Sequence, residues 1–161
     1  RDPLKESIRL QDLLTMRSGT DYNENGSSSP HFQLNRLARG WDKFYLDRPM
    51  LRKPGTHFLY DSGGVILMSA MLKNRTGKHA DHYAEEHLFK PLGIDRKSWF
   101  RNQEGHPHTG GGLHLLPRDM AKLGYLLLNG GVWEGERIVS AEWIEESTRK
   151  HTPLPLNGGY G

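Results

Sequence analysis

The sequence predicts a mainly α fold with short strands, and three observations carry that prediction. Apolar residues recur at helical spacing in several separate stretches, the clearest being Val65, Leu67, Met68, Met71 and Leu72. Residues suited to helix ends flank those stretches: Ser62 before and Gly77 after the first, Pro117 at the start of another, and Ser140 ahead of a third. With 19 glycines and 9 prolines in 161 residues, the intervening segments are dense in turns and leave room only for short strands.

The elements follow in order. Leu10 to Arg17 reads as a short helix with Leu10, Leu13 and Leu14 on one face and Gly19 as its stop. Residues 20–30, TDYNENGSSSP, read as a polar loop. His31 to Asp47 is expected as a helix in two pieces broken at Gly40, with Phe32, Leu34, Leu37, Trp41, Phe44 and Tyr45 as its apolar residues. Pro54-Gly55 marks a turn, and His57 to Tyr60 is expected to be a short extended run. Ser62 is placed to cap the helix that follows, so Tyr60 stands at a corner between an extended segment and a helix. A further helix is expected from His79 to Leu88, a strand at Ser98 to Arg101, and a glycine-rich loop from Gly105 to Gly112. Pro117 opens a helix carrying Met120, Leu123, Leu126 and Leu127, which ends at Asn129-Gly130. Glu136 to Val139 suggests a strand, and Ser140 caps a last helix with Trp143 and Ile144 inward. Five or six helices are expected in all, with no internal repeat.

Composition narrows the classes of function. Hydrophobic content of 35% and charged content of 25% suit a loop-rich region of a larger fold as well as one independent domain. The net charge of +3 is small, and no Lys/Arg run interleaved with aromatics points to nucleic acid. No apolar run is long enough to span a bilayer. The absence of cysteine removes disulfide and thiolate chemistry and leaves the compartment open. Arg1-Asp2-Pro3 and the final PLPLNGGYG both read as connections, so the chain is expected to be a piece of a longer protein.

Four segments, taken in order, resemble the serine β-lactamase/penicillin-binding-protein-like superfamily. They are Ile8 to Gly19 (IRLQDLLTMRSG), Pro54 to Gly63 (PGTHFLYDSG), Thr76-Gly77 with Phe89 to Ile94 (FKPLGI), and Gly111-Gly112-Leu113 with Arg118 to Gly124 and Leu127 to Gly131. The branch they are most similar to holds class C β-lactamases, related esterases and 6-aminohexanoate-dimer hydrolases. The resemblance implies the helical part of an α/β, β-lactamase/transpeptidase-like fold, with residues 1–161 as the middle portion of a single incomplete catalytic domain. In that family the serine of a Ser-x-x-Lys motif attacks an amide or ester carbonyl, a Tyr-x-Asn tyrosine helps move its proton, and a later Lys-Thr-Gly or His-x-Gly strand lines the site. Carried over, Tyr60 is the expected general base. A phenol titrates near about 10, so such a base depends on neighbouring cations. Ser62 falls where the family has asparagine and is expected to hydrogen-bond substrate with fewer donors and a shorter reach. That departure favours the esterase and amide-hydrolase branch over a true β-lactam hydrolase. The nucleophile motif is expected upstream of Arg1 and the final strands downstream of Gly161.

The resemblance also implies a small amide or ester substrate, no cofactor and no metal, with the remainder of the same catalytic domain as partner. Relatives of this kind are often exported to the bacterial envelope, and others remain cytoplasmic. The alternative is a catalytically inactive homologue that binds peptide or cell-wall-type ligands. Several local patterns compete with these readings. Ser147-Thr148-Arg149-Lys150 matches Ser-x-x-Lys literally but follows Tyr60 in the chain, at the end of a polar helix. Arg75-Thr76-Gly77 imitates Lys-Thr-Gly but suits a helix C-terminus. Asp61-Ser62-Gly63-Gly64 resembles a nucleophile elbow, with His57 or His31 as base, although Tyr60 would crowd such a turn. His79, His82 and Glu86 share a helix face and His106 and His108 share a loop; a solvated face is the simpler account of the first group.

Overall fold

The computed structural model describes residues 2–153 and 159–160. The expectations for Arg1 and for the 154–158 stretch therefore lie outside the described residues. Among the described residues the chain forms eight α-helical segments, one π-helical turn and six short strands. The mainly α class with short strands is what is observed. The described residues fall into two compact units, one of residues 2–80 and 100–112, the other of residues 81–99, 113–153 and 159–160.

The first unit holds helices α1 (Pro3–Glu6), α2 (Leu10–Leu14), α3 (Pro30–Asn35), α4 (Trp41–Leu46) and α5 (Ser62–Thr76). Its core is Leu13, Tyr22, Leu34, Trp41, Tyr45 and Ile66. The break between α3 and α4 comes at Gly40, whose φ of 70° is left-handed. Ser29 caps α3 by accepting the Phe32 N–H. The 20–30 loop is polar as expected, yet it delivers Tyr22 into the core with its side chain fully buried. No strand forms at His57 to Tyr60; within the segment the Leu59 N–H donates to the Met16 carbonyl.

Helix α5 runs as predicted to a left-handed Gly77 with φ of 74°. Its start differs by one residue. Asp61, not Ser62, is the N-cap, because its carboxylate reaches the Gly64 N–H at 2.8 Å, and Ser62 becomes the first helical residue. Its buried face also differs from the expected stripe. Ser62, Gly63, Gly64, Ile66 and Ser69 are buried, whereas Met71 is exposed and Val65, Leu67, Met68 and Leu72 are half-buried. Small residues let the helix lie directly on the core tyrosines, and this leaves apolar side chains on a second face. Leu10 and Leu14 of α2 are likewise exposed while Leu13 is buried. Together these residues line an apolar groove of about 650 Å³ with Val65, Met68 and Leu72.

The second unit packs Phe89, Leu92, Ile94 and Leu126 into its core. The helix expected from His79 to Leu88 is α6 (Ala80–Ala84) running into a π-helical turn at Glu85–Phe89, which seats Phe89 in that core. Strand β1 (Lys97–Trp99) pairs antiparallel with β2 (Leu113–Leu115), a partner that the sequence reading did not include. Helix α7 (Pro117–Leu128) starts on its proline and buries Leu126, with Met120 and Leu127 exposed. Strands β3 (Val132–Trp133) and β4 (Glu136–Arg137) form a hairpin. Helix α8 (Ala141–Thr148) is capped by Ser140, and its Trp143 is exposed where it was expected inward. Strands β5 (Thr152–Pro153) and β6 (Gly159–Tyr160) also pair antiparallel.

Packing against the core tyrosines is tight at Gly63. A Cβ there would lie 2.5 Å from Tyr45 Cδ2 and 2.6 Å from Tyr22 Cε2. Gly63→Ala is expected to destabilise the chain by about 1–3 kcal/mol through overpacking. Urea unfolding of the two chains checks this, and equal midpoints would contradict it.

Candidate active site

The corner Tyr60-Asp61-Ser62 is built from the centre outward. Asp61 is almost fully buried, and its carboxylate accepts three hydrogen bonds. They come from the Gly64 N–H at 2.8 Å, the Ser18 hydroxyl at 2.9 Å and the Tyr45 hydroxyl at 2.5 Å. The Ser18 hydroxyl in turn accepts the Thr20 N–H at 3.2 Å. The backbone N–H of Asp61 points at the Met16 sulfur at 3.2 Å. Met16 carries a left-handed φ of 56°, an uncommon conformation for a residue other than glycine, Asn or Asp. The turn at Met16 thus sets a side-chain sulfur against the Asp61 amide and a main-chain carbonyl against the Leu59 amide, on either side of Tyr60.

Burial raises the Asp61 carboxyl above the usual value of 3.8, and the nearby Glu24 carboxylate adds to the rise. The three hydrogen bonds favour the ionised form and oppose the rise, but removal from water outweighs them. Burial first, and then the Asp61 charge, raise the phenols of Tyr45 and Tyr22 far above their ordinary value. Tyr45 therefore serves the corner as a fixed hydroxyl donor.

Either side of this hub stand the two residues expected to act. Tyr60 is 53% exposed, with its phenol at the surface of the unit. Ser62 is 5% exposed, and its backbone N–H donates to the Glu24 carboxylate. Gly110 covers Ser62: a Cβ at Gly110 would lie 2.9 Å from the Ser62 Cβ and 3.0 Å from its carbonyl oxygen. The neighbouring Thr109 hydroxyl donates to the Val65 carbonyl at 2.8 Å. His108, buried beside them, has its imidazole lowered from 6.5, first by burial and then by His31. Sequence reasoning missed Ser18, Glu24, Tyr45 and Gly110 as parts of this corner. Only the Ser18-Gly19 and Gly111-Gly112 pairs signalled that those segments mattered.

The other candidates are placed as follows. Ser147 turns its hydroxyl back to the Ile144 carbonyl at 3.3 Å, inside α8. His57 is exposed and His31 is half-buried in α3. Thr76 lies in the last turn of α5, bonded to the Leu72 carbonyl at 2.8 Å, as its capping role requires. Among the described residues no three His, Cys, Asp or Glu side chains are gathered closely enough to hold a metal. No described helix is long and apolar enough to cross a membrane.

Comparison with known proteins bears on this arrangement. The family model described as Beta-lactamase matches residues 1–161. A 6-aminohexanoate-dimer hydrolase of Paenarthrobacter ureafaciens is 27% identical over 145 residues, covering 83% of this chain and 37% of that protein. The penicillin-binding protein of Bacillus halodurans superposes with a TM-score of 0.76 at 19% identity, over 98% of this chain and 57% of that one. The D-amino acid amidase of Ochrobactrum anthropi SV3 gives 0.67 at 19%, over 91% and 49%. The chain thus spans less than two thirds of the length of each. Its architecture is the helical part of the β-lactamase/transpeptidase-like fold.

For Asp61 the sign of the pH effect follows from the raised value. Its contribution to stability is fully present below the unfolded value of 3.8 and is lost as pH rises through the folded value. A carbon-detected NMR titration is expected to place the Asp61 carboxyl midpoint above 3.8. A midpoint at or below that value would contradict the assignment.

Proposed function

The chain belongs to the beta-lactamase family, within the serine β-lactamase and penicillin-binding-protein superfamily, and from that membership we propose that it is the middle portion of a serine hydrolase's single catalytic domain. The enzyme cleaves amide or ester bonds through an acyl-enzyme. Its nucleophile is a Ser-x-x-Lys serine outside these residues, Tyr60 is the general base, and Ser62 hydrogen-bonds the substrate. The observation that carries this reading is the contrast at the corner. Asp61 is anchored by three hydrogen bonds, and the exposed Tyr60 directly precedes that anchor. The relatives named as a dimer hydrolase and an amidase favour an amide among the possible substrates.

The groove of about 650 Å³ along α2 and α5 supports the remainder of the domain as the chain's partner. A helix apolar on two faces suits the interior of a larger domain. The 161-residue chain by itself is expected to bind the dye ANS, and Leu14→Glu with Met71→Lys to abolish most of that fluorescence. Dye binding unchanged by both substitutions would remove the groove from the account.

A second reading, an inactive homologue that binds peptide or cell-wall-type ligands, draws on Ser62, which stands in place of asparagine and is buried. The two readings separate on the full-length protein, treated with a fluorescent penicillin and with p-nitrophenyl esters. Labelling or turnover is expected, with kcat/KM reduced about 10²–10⁴-fold by Tyr60→Phe. No label and no hydrolysis would leave the binding homologue, and a Tyr60→Phe effect under about twofold would remove Tyr60 as base. The 161-residue chain alone is expected to do neither. Stoichiometric labelling of Ser62 in that chain would make Ser62 the nucleophile.

A further inference from the structure

The segment that covers Ser62 is held by a chain of hydrogen-bonded side chains. The Asn35 side-chain oxygen lies 2.9 Å from His108 Nε2, and the Asn35 nitrogen lies 2.9 Å from His31 Nε2. A carboxamide oxygen only accepts and its nitrogen only donates, so His108 carries its proton on Nε2 and His31 accepts on its own Nε2. His31 Nδ1 in turn faces the Tyr22 hydroxyl at 3.5 Å. The ladder links the loop (His108) to α3 (Asn35, His31) and to the core (Tyr22). The His108 ring also packs edge-on against Trp41 at 5.4 Å and His31 at 5.8 Å between centroids. Two residues further on, Gly110 lies on Ser62 so closely that no side chain fits between them.

We infer that His108 and Asn35 are positioning residues for the substrate-facing corner, fixing Gly110 as a roof over Ser62. This rests on the reading of Ser62 as a substrate-binding group. The His108 N–H donates to the Phe100 carbonyl at 2.8 Å and the Gly111 N–H to the His108 carbonyl at 3.0 Å, so both bonds turn within the loop itself. The Asn35–His108 and Thr109–Val65 bonds tie residues 108–110 to helices, one to α3 and the other to α5. Releasing the first lets Gly110 lift, which opens the space above Ser62 and loosens its hydroxyl.

The test uses the full-length protein with His108→Phe, which keeps a ring against Trp41 but has no donor, and His108→Gln, whose amide nitrogen can replace Nε2. In His108→Phe the backbone amides of residues 108 and 111 are expected to exchange with solvent about tenfold faster, while the Gly77 amide at the far end of α5 keeps its wild-type rate. Ester kcat/KM is expected to fall about five- to tenfold, and His108→Gln to restore both readings. Asn35→Ala, at an exposed helical position, repeats the loss should His108→Phe fail to fold. Gly110→Ala is expected to speed exchange with the ladder intact. Wild-type exchange in His108→Phe, or no rescue by His108→Gln, would overturn the inference. Lowered melting temperature with unchanged kcat/KM would show a role in stability alone and would overturn it as well. If the wild-type protein hydrolyses no ester, the catalytic reading falls, and the exchange rates alone decide whether Gly110 is held as a roof.

Discussion

The first unit depends on the buried carboxylate of Asp61. One side chain caps α5 through Gly64, binds Ser18 at the turn after α2, and binds Tyr45 on α4. Three segments distant in sequence are thereby tied at one point. A carboxylate taken out of water is costly unless its lone pairs are met. Here three donors meet them, and burial still raises the group's affinity for a proton. Removing any donor would leave the cost in place and take away part of the compensation, so the whole arrangement stands or falls together.

That interdependence explains the glycines around the hub. Tyr45 and Tyr22 can approach α5 only because Gly63 has no side chain, and Gly64 leaves its amide free to reach Asp61. Packing of tyrosines against glycines turns the helix so that Ile66 and Ser69 face inward. The price in apolar exposure falls on Met71 and on Leu10 and Leu14, which line the groove. The site and the groove are two results of one choice of helix face. Tyr60 and Ser62, adjacent to the hub on either side, receive opposite environments: one at the surface, the other under Gly110.

Much of this was legible from local rules. The break at Gly40, the proline start of α7, the Ser140 cap and the left-handed Gly77 each depend on a few consecutive residues, and each is found. The ordered motifs around Ser18-Gly19, Tyr60 and Gly111-Gly112 identified the family, and the family model spans the chain. Errors came where a distant contact overrode a local preference. Ser62 is a good cap by residue type, yet Asp61 caps, because Tyr45 and Ser18 hold its carboxylate in place. Trp143 is apolar at a helical spacing, yet it is exposed, because the second unit's core is filled by Phe89, Leu92, Ile94 and Leu126. Tyr22 lies in a polar loop, and nothing in its neighbours marks it as core.

The sequence by itself determined the class of fold, most helix ends, the family and the identity of Tyr60 and Ser62 as the residues to watch. Those depend on period, capping chemistry and motif order, all of which are properties of short stretches. The tertiary structure alone decided that Asp61 is the hub, that Glu24 and Gly110 enclose Ser62, and that His108 reaches Asn35. Most of these contacts join residues far apart in the chain, and no local pattern encodes which distant side chain will fill a given space. Close packing in a shared core makes that selection, and it exists only once the chain has folded.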